Sequence, residues 1–188
     1  MKILITAIIS LITFLIFAQP KNTISALIKS GVYNEFGLSF EQHKEKKIFN
    51  LNNSQIFNLT RTQFVLFNTN IPTISVQGSG FIAEFGYKLF FNKQKFNKWY
   101  VQNSISSGYV NFDDTFNYDI YKYNFKGVFS FVSIIQPEIG YKINVGRFSI
   151  DPAIGWQWNI ELKSQGEFNN QIVDNTFIKA GIKVGYQF

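Results

Sequence analysis

The chain of 188 residues has no cysteine, one histidine, one methionine and four prolines. Without cysteine it can build no disulfide framework and no thiolate metal site, and it offers no thiol for a lipid anchor. A single histidine cannot supply a histidine-ligated metal centre. Beyond residue 17 no apolar run approaches the ~20 residues of a membrane helix. Acidic residues are few, 12 against 18 basic ones, but the bases are scattered. Their only cluster, Lys44-Glu45-Lys46-Lys47, is interrupted by an acid. Nucleic-acid recognition needs a basic stripe beside stacking aromatics, so that partner is excluded. Gly78-Ser79-Gly80 lacks the lysine and following helix of a phosphate cradle. Asn58-Leu59-Thr60 fits a glycosylation triplet, a chance match in an asparagine-rich chain.

Aromatics, by contrast, make up 18% of the residues, 22 of them phenylalanine. Met1 to Ala18 has one charge, Lys2, and then an apolar run from Ile3 to Phe17 broken only by Thr6, Ser10 and Thr13. That run is short for a spanning helix, and Ala18 before Gln19-Pro20 suits cleavage. Residues 1–18 therefore read as a cleaved secretory signal peptide, and 19–188 as one domain. Loss of Lys2 lowers the formal charge from +6 to +5. An exported chain without membrane helices can span a bilayer only as a closed barrel, because an open sheet edge cannot stand in hydrocarbon.

The period of two along strands supports this. Ile24, Ala26 and Ile28 form a weak first apolar row within 21–29, followed by a candidate turn at Ser30-Gly31. Val32, Phe36, Leu38 and Phe40 form the next, interrupted by Asn34, with Tyr33, Glu35, Gly37, Ser39 and Glu41 opposite. Lys44 to Lys47 reads as a polar turn. From Ile48 to Phe67 the pattern conflicts: Phe57, Leu59, Val65 and Phe67 share a face with Arg61 and Gln63, so a bulge is expected. Asn68 to Pro72 is turn-like. Phe81, Ala83, Phe85, Tyr87, Leu89 and Phe91 then form an unbroken row, opposite Gly80, Ile82, Glu84, Gly86, Lys88 and Phe90.

Asn92 to Lys98 reads as a short connection. Trp99, Val101, Ile105 and Tyr109 lie outward after it, and Asp113 to Asp119 as a longer polar loop. Ile120 to Asn144 is long for one strand, and Pro137 inside it predicts a local kink. Val145-Gly146-Arg147 is a tight turn. Phe148, Ile150, Pro152, Ile154, Trp156, Trp158, Ile160 and Leu162 make the clearest outward row, with Glu161 on the opposite one; Lys163 to Asp174 is the second long loop. Short turns alternating with longer loops suit periplasmic turns and extracellular loops, hence an even strand number. Eight is chosen over six. Tyr87, Phe90, Phe91, Phe96, Trp99, Tyr141, Phe148, Tyr186 and Phe188 then fall near the periplasmic ends as an interfacial girdle.

The last stretch, Thr176 to Phe188, alternates Ile178, Ala180, Ile182, Val184, Tyr186 and Phe188 with Phe177, Lys179, Gly181, Lys183, Gly185 and Gln187. This ending resembles the closing strand of Gram-negative outer-membrane barrels of the small OmpA/OmpX-like class. The resemblance covers the signal peptide and most of 81–188. It implies an all-β, closed antiparallel transmembrane barrel of eight strands in meander order, in the outer membrane, with lipid around it. It also implies that Val184, Tyr186 and Phe188 are the signal read by the barrel-assembly machinery.

The polar rows place Glu35, Glu41, Glu84, Glu138, Asp151 and Glu161 inside with Lys88, Lys142, Lys179 and Lys183. Charges buried there must be paired, so a structural ion-pair network is expected, with Glu84, Glu138 and Asp151 facing Lys142, Lys179 and Lys183. Replacing Lys183 by Met should then weaken the barrel. Such an interior resembles that of OmpA-type barrels; a polar pore or a catalytic carboxylate pair is the functional alternative. His43, the only histidine, shows no Ser-His-acid grouping by spacing and reads as a rim residue. No cofactor and no catalysis are expected. The reading is a structural or interaction barrel of the envelope, with an unidentified envelope partner. A subunit of a secretion or envelope complex, a soluble ligand-binding barrel with its apolar rows inside, and a lipid-modifying enzyme using His43 are the alternatives.

Overall fold

The computed structural model describes residues 22–31, 33–48, 51–67, 75–91, 97–118, 121–166 and 176–188. Residues 1–18, read above as a signal peptide, the turn expected at Asn68 to Pro72, Phe96 and residues 167–174 of the second expected loop lie outside them. Eight strands follow in order: β1 (Asn22–Ser30), β2 (Tyr33–Ile48), β3 (Leu51–Phe67), β4 (Ser75–Phe90), β5 (Asn97–Tyr118), β6 (Tyr121–Val145), β7 (Phe148–Gly166) and β8 (Thr176–Gln187). Each pairs antiparallel with the next, and β8 returns to β1, closing the barrel. The eight-strand meander expected from alternation is what forms.

Closure carries a stagger. A ladder started at Tyr186 runs through Ile24, Phe40, Phe57, Phe85 and Ile105, crosses the bulged part of β6, reaches Trp158 and re-enters β8 at Thr176. It comes back ten residues from its start. A stagger of this kind requires strands tilted by roughly 35–45° to the barrel axis.

The outside is apolar and the inside is not. Ile28, Leu38, Leu59, Ile105, Ile139, Ile154 and Val184 are all exposed on the wall, whereas ten charged side chains among the described residues are buried within. A water-soluble barrel would place these rows the other way round, so the soluble ligand-binding alternative is set aside. In a closed sheet every backbone donor along the belt meets an acceptor on a neighbour, which is what a wall standing in lipid needs.

Several connections expected from polarity are strand instead. Lys44 to Lys47 lies inside β2, where the pairing with β3 shifts register between Lys44 and Ile48. Asp113 to Tyr118 continues β5 and pairs with Tyr121 to Lys126 of β6. β7 runs through the start of the second expected loop to Gly166. Ladder hydrogen bonds persist in water, so strands that leave the lipid keep pairing while their outward residues turn polar. The same reason removes the bulge expected in β3. Its register with β4 is unbroken from Asn52 to Phe67, and Arg61 and Gln63 simply face outward on an extended wall.

The real phase change is in β6. Phe129, Phe131 and Ser133 are buried, Ile134 and Ile135 are both exposed, and Gln136, Glu138, Gly140 and Lys142 are buried next. Register shifts mark this place against both neighbours, between Ser104 and Ser106 on β5 and between Val132 and Ile135 on β6. The bulge thus precedes the proline where the kink was expected. The Gln136 N–H donates to the Asn103 side chain at 3.1 Å, which satisfies a donor the disrupted ladder drops. A second shift, beside Leu162, accompanies exposure of Glu161, which is therefore not an interior residue. Phe90 also departs from expectation: it is buried inside against Tyr100, not in the girdle. Gly146, at φ 62°, opens the two-residue turn to Phe148, the left-handed conformation that primed hairpin turns require.

Candidate functional site

The interior of the barrel is the chemically distinctive region. Alternation on all eight strands sends one polar row inward, and the narrow bore brings residues far apart in sequence within reach. Among the described residues, five ammonium groups (Lys29, Lys88, Lys142, Lys179, Lys183) and five carboxylates (Glu35, Glu41, Glu84, Glu138, Asp151) are buried there. Their formal charges cancel.

They form two storeys. In the storey nearer the carboxyl terminus, Lys88 donates to Glu41 Oε2 at 3.1 Å and also to Asp151. Lys142 reaches the same Glu41 oxygen at 3.1 Å. Tyr100 donates to Asp151 Oδ1 at 2.5 Å, and the Lys88 ammonium lies 4.2 Å from the centre of its ring. Gly140 makes this possible, since any side chain there would occupy the space of the Tyr100 hydroxyl. In the other storey Lys29 bridges Glu84 at 2.8 Å and Glu138 at 3.0 Å, and Gln102 donates to Glu84 Oε1 at 3.2 Å. Lys179 pairs with Glu35 at 2.6 Å, and Thr60 donates to the other oxygen of Glu35 at 3.0 Å.

Beyond these charges, toward the far end, an aromatic layer fills the bore. Tyr33 stacks on Phe131 with ring centres 6.0 Å apart and meets the edge of Phe177 at 4.9 Å; Phe131 also stacks on Phe129. The Tyr33 hydroxyl accepts from Gln157 at 3.0 Å and from Asn159 at 2.9 Å.

All six residues of the expected network are buried, but the partners differ. Glu84 and Glu138 share Lys29, Asp151 takes Lys88, Lys142 takes Glu41, and Lys179 takes Glu35. None of Glu84, Glu138 and Asp151 is bonded to Lys142 or Lys179. Lys183 stands opposite Asp151 across the β7–β8 register, yet its ammonium has no hydrogen-bond partner. Lys29 is the participant that sequence reasoning missed. The signal was present, because Ile28 faces outward on β1 and its neighbour must then face in.

His43 is better connected than its spacing suggested. Its Nδ1 lies 2.7 Å from Ser54 Oγ, and its Nε2 lies 3.6 Å from Glu41 Oε1. Cross-strand pairing of His43 with Ser54 creates this grouping, which no sequence interval reveals. It does not present a nucleophile: Ser54 is fully buried, and Glu41 is already held by Lys88 and Lys142. Among the described residues no group of three or more acids or histidines is suited to holding a metal ion.

No protein-family model and no characterised protein matches the chain by sequence. Solved structures do match it. A major outer membrane protein of Thermus thermophilus superposes with a TM-score of 0.58 at 9% identity, covering 89% of this chain and all of that one. The attachment invasion locus protein Ail of Yersinia pestis, solved with the heparin analogue sucrose octasulfate, gives 0.50 at 13% identity over 89% of this chain and 96% of its own. The chain has the OmpA/OmpX-like outer-membrane barrel fold. At such low identity the shared quantity is architecture.

Proposed function

We propose that the protein is an integral outer-membrane barrel with a structural or interaction role in the cell envelope and no catalysis. In this reading residues 1–18 are removed on export, and the mature chain begins at Gln19. The observation that carries it is the inversion of polarity: apolar rows on the wall, and five lysines balanced by five carboxylates, with an aromatic layer, in the bore. Such an interior is packed and charge-neutral, which favours a plug over a channel. The lysines and acids named above then serve to hold the strands at fixed spacing.

The closing strand supports the assembly part of the reading. Val184 and Tyr186 are exposed on the wall, and Phe188 exchanges backbone hydrogen bonds with Asn22 at 3.0 and 3.1 Å. We take these outward positions, with Phe188, as the surface that the assembly machinery reads. Deleting Phe188 should reduce the amount of folded protein in outer membranes while leaving refolding into detergent intact.

The central test is physical. The mature chain should require detergent for extraction, run faster on gels unheated than boiled, and give no steady ionic conductance in planar bilayers. Solubility without detergent would overturn the membrane reading; a stable ohmic conductance would overturn the filled interior alone.

A further inference from the structure

On the outer wall at the far end, β2 to β5 carry a groove of about 390 Å³ lined by Asn34, Gln63, Gln77, Ser79, Asn111 and Asp113, with Gly78 at its floor. This volume lies toward the lower end of the range for small-molecule sites. The lining is four carboxamides, a hydroxyl and a carboxylate, with no cation among them. Ser30 donates to the Asn34 carbonyl oxygen at 2.9 Å, leaving the Asn34 amide nitrogen to act as donor. Sets of amides with one carboxylate offer both donors and acceptors, the combination that matches hydroxyl groups on a sugar ring. Asp113 meets the Lys126 ammonium at 3.4 Å, with both side chains exposed, so the groove carries no net charge and favours a neutral ligand.

Position decides the source. One step down the same outward faces come Phe36, Arg61, Phe81 and Tyr109, with the Phe81 and Tyr109 rings 6.3 Å apart. Aromatic and basic residues of this kind mark the boundary between hydrocarbon and headgroups. Further down are Leu38, Leu59, Ala83 and Ser107, the upper part of the mainly apolar wall. The groove therefore opens at headgroup height, where an embedded lipid can present its head while its chains lie along the wall.

We infer that this groove binds the neutral sugar headgroup of a membrane glycolipid. The inference rests on the membrane reading above, and the two can fail separately. The test uses the purified barrel in detergent with an equimolar mixture of monogalactosyl diacylglycerol and phosphatidylcholine, followed by native mass spectrometry. The expected result is at least a fivefold excess of galactolipid over phosphatidylcholine adducts. In the double variant Gln63→Ala/Asn111→Ala the ratio should fall to about one, with unheated gel mobility unchanged. Both residues are exposed, so folding should survive their truncation. Equal adducts in the unaltered protein, or an unchanged ratio in the variant, would overturn the site. Methyl galactoside at millimolar concentration should leave the adducts in place; complete displacement would assign the groove to a soluble sugar and overturn the lipid source. Loss of heat-modifiable mobility in the unaltered protein would instead defeat the membrane reading itself.

Discussion

At the scale of single residues, the interior separates charges that are held from one that is not. Lys29 bonds two carboxylates from two other strands. Lys29→Met would leave Glu84 and Glu138 buried with less compensation, and breaking such a pair costs about 3–5 kcal/mol. Urea titration of the folded barrel in micelles should show that loss as a lower midpoint. Lys183 differs, because its ammonium carries desolvation without a hydrogen bond to offset it. Lys183→Met should therefore cost far less than Lys29→Met, or raise stability. The sequence-based expectation that Lys183→Met weakens the barrel gives way to this one. Equal losses in the two variants would show that hydrogen bonding does not decide the contribution. Alternation made the inward direction of nine of these ten charges readable. Which acid meets which base was not readable, because the pairing depends on stagger across the bore and not on distance along the chain.

At the scale of elements, strand identity was legible wherever lipid enforces a strict apolar row, as from Phe81 to Phe91 or from Phe148 to Leu162. It failed where strands rise into water. Arg61 and Gln63 on β3 and Asp113 on β5 face outward and polar, so the apolar signal stops while the ladder continues. The β6 bulge was displaced from Pro137 for a related reason: two adjacent outward residues, Ile134 and Ile135, hide a change of phase inside an apolar run. Turn chemistry was clearer. Gly146 adopts a positive φ that a Cβ strains, so Gly146→Ala should cost about 1 kcal/mol, measured in the same titration. The open surroundings of that position mean the cost is conformational, not steric.

At the scale of the whole molecule, the membrane belt is the property that composition and period specify best. Ile182 faces outward between Ile28 and Pro152, well inside the belt. Ile182→Lys should lower the stability of the barrel in phospholipid bilayers by ~2–4 kcal/mol. The same change at exposed Gln63, above the aromatic boundary, should be close to neutral. A comparable penalty at both positions would mean that the wall is not standing in lipid at the proposed depth.

Those interior contacts also constrain the order of events during biogenesis. Lys29 and Glu138 are separated by 109 positions, and Lys179 and Glu35 by 144. No early hairpin contains both members of either couple. A partly built sheet entering the bilayer would drag bare ammonium and carboxylate groups against acyl chains. Sealing the first stave to the last and neutralising the contents must accordingly be a single act, completed no later than entry into the oil.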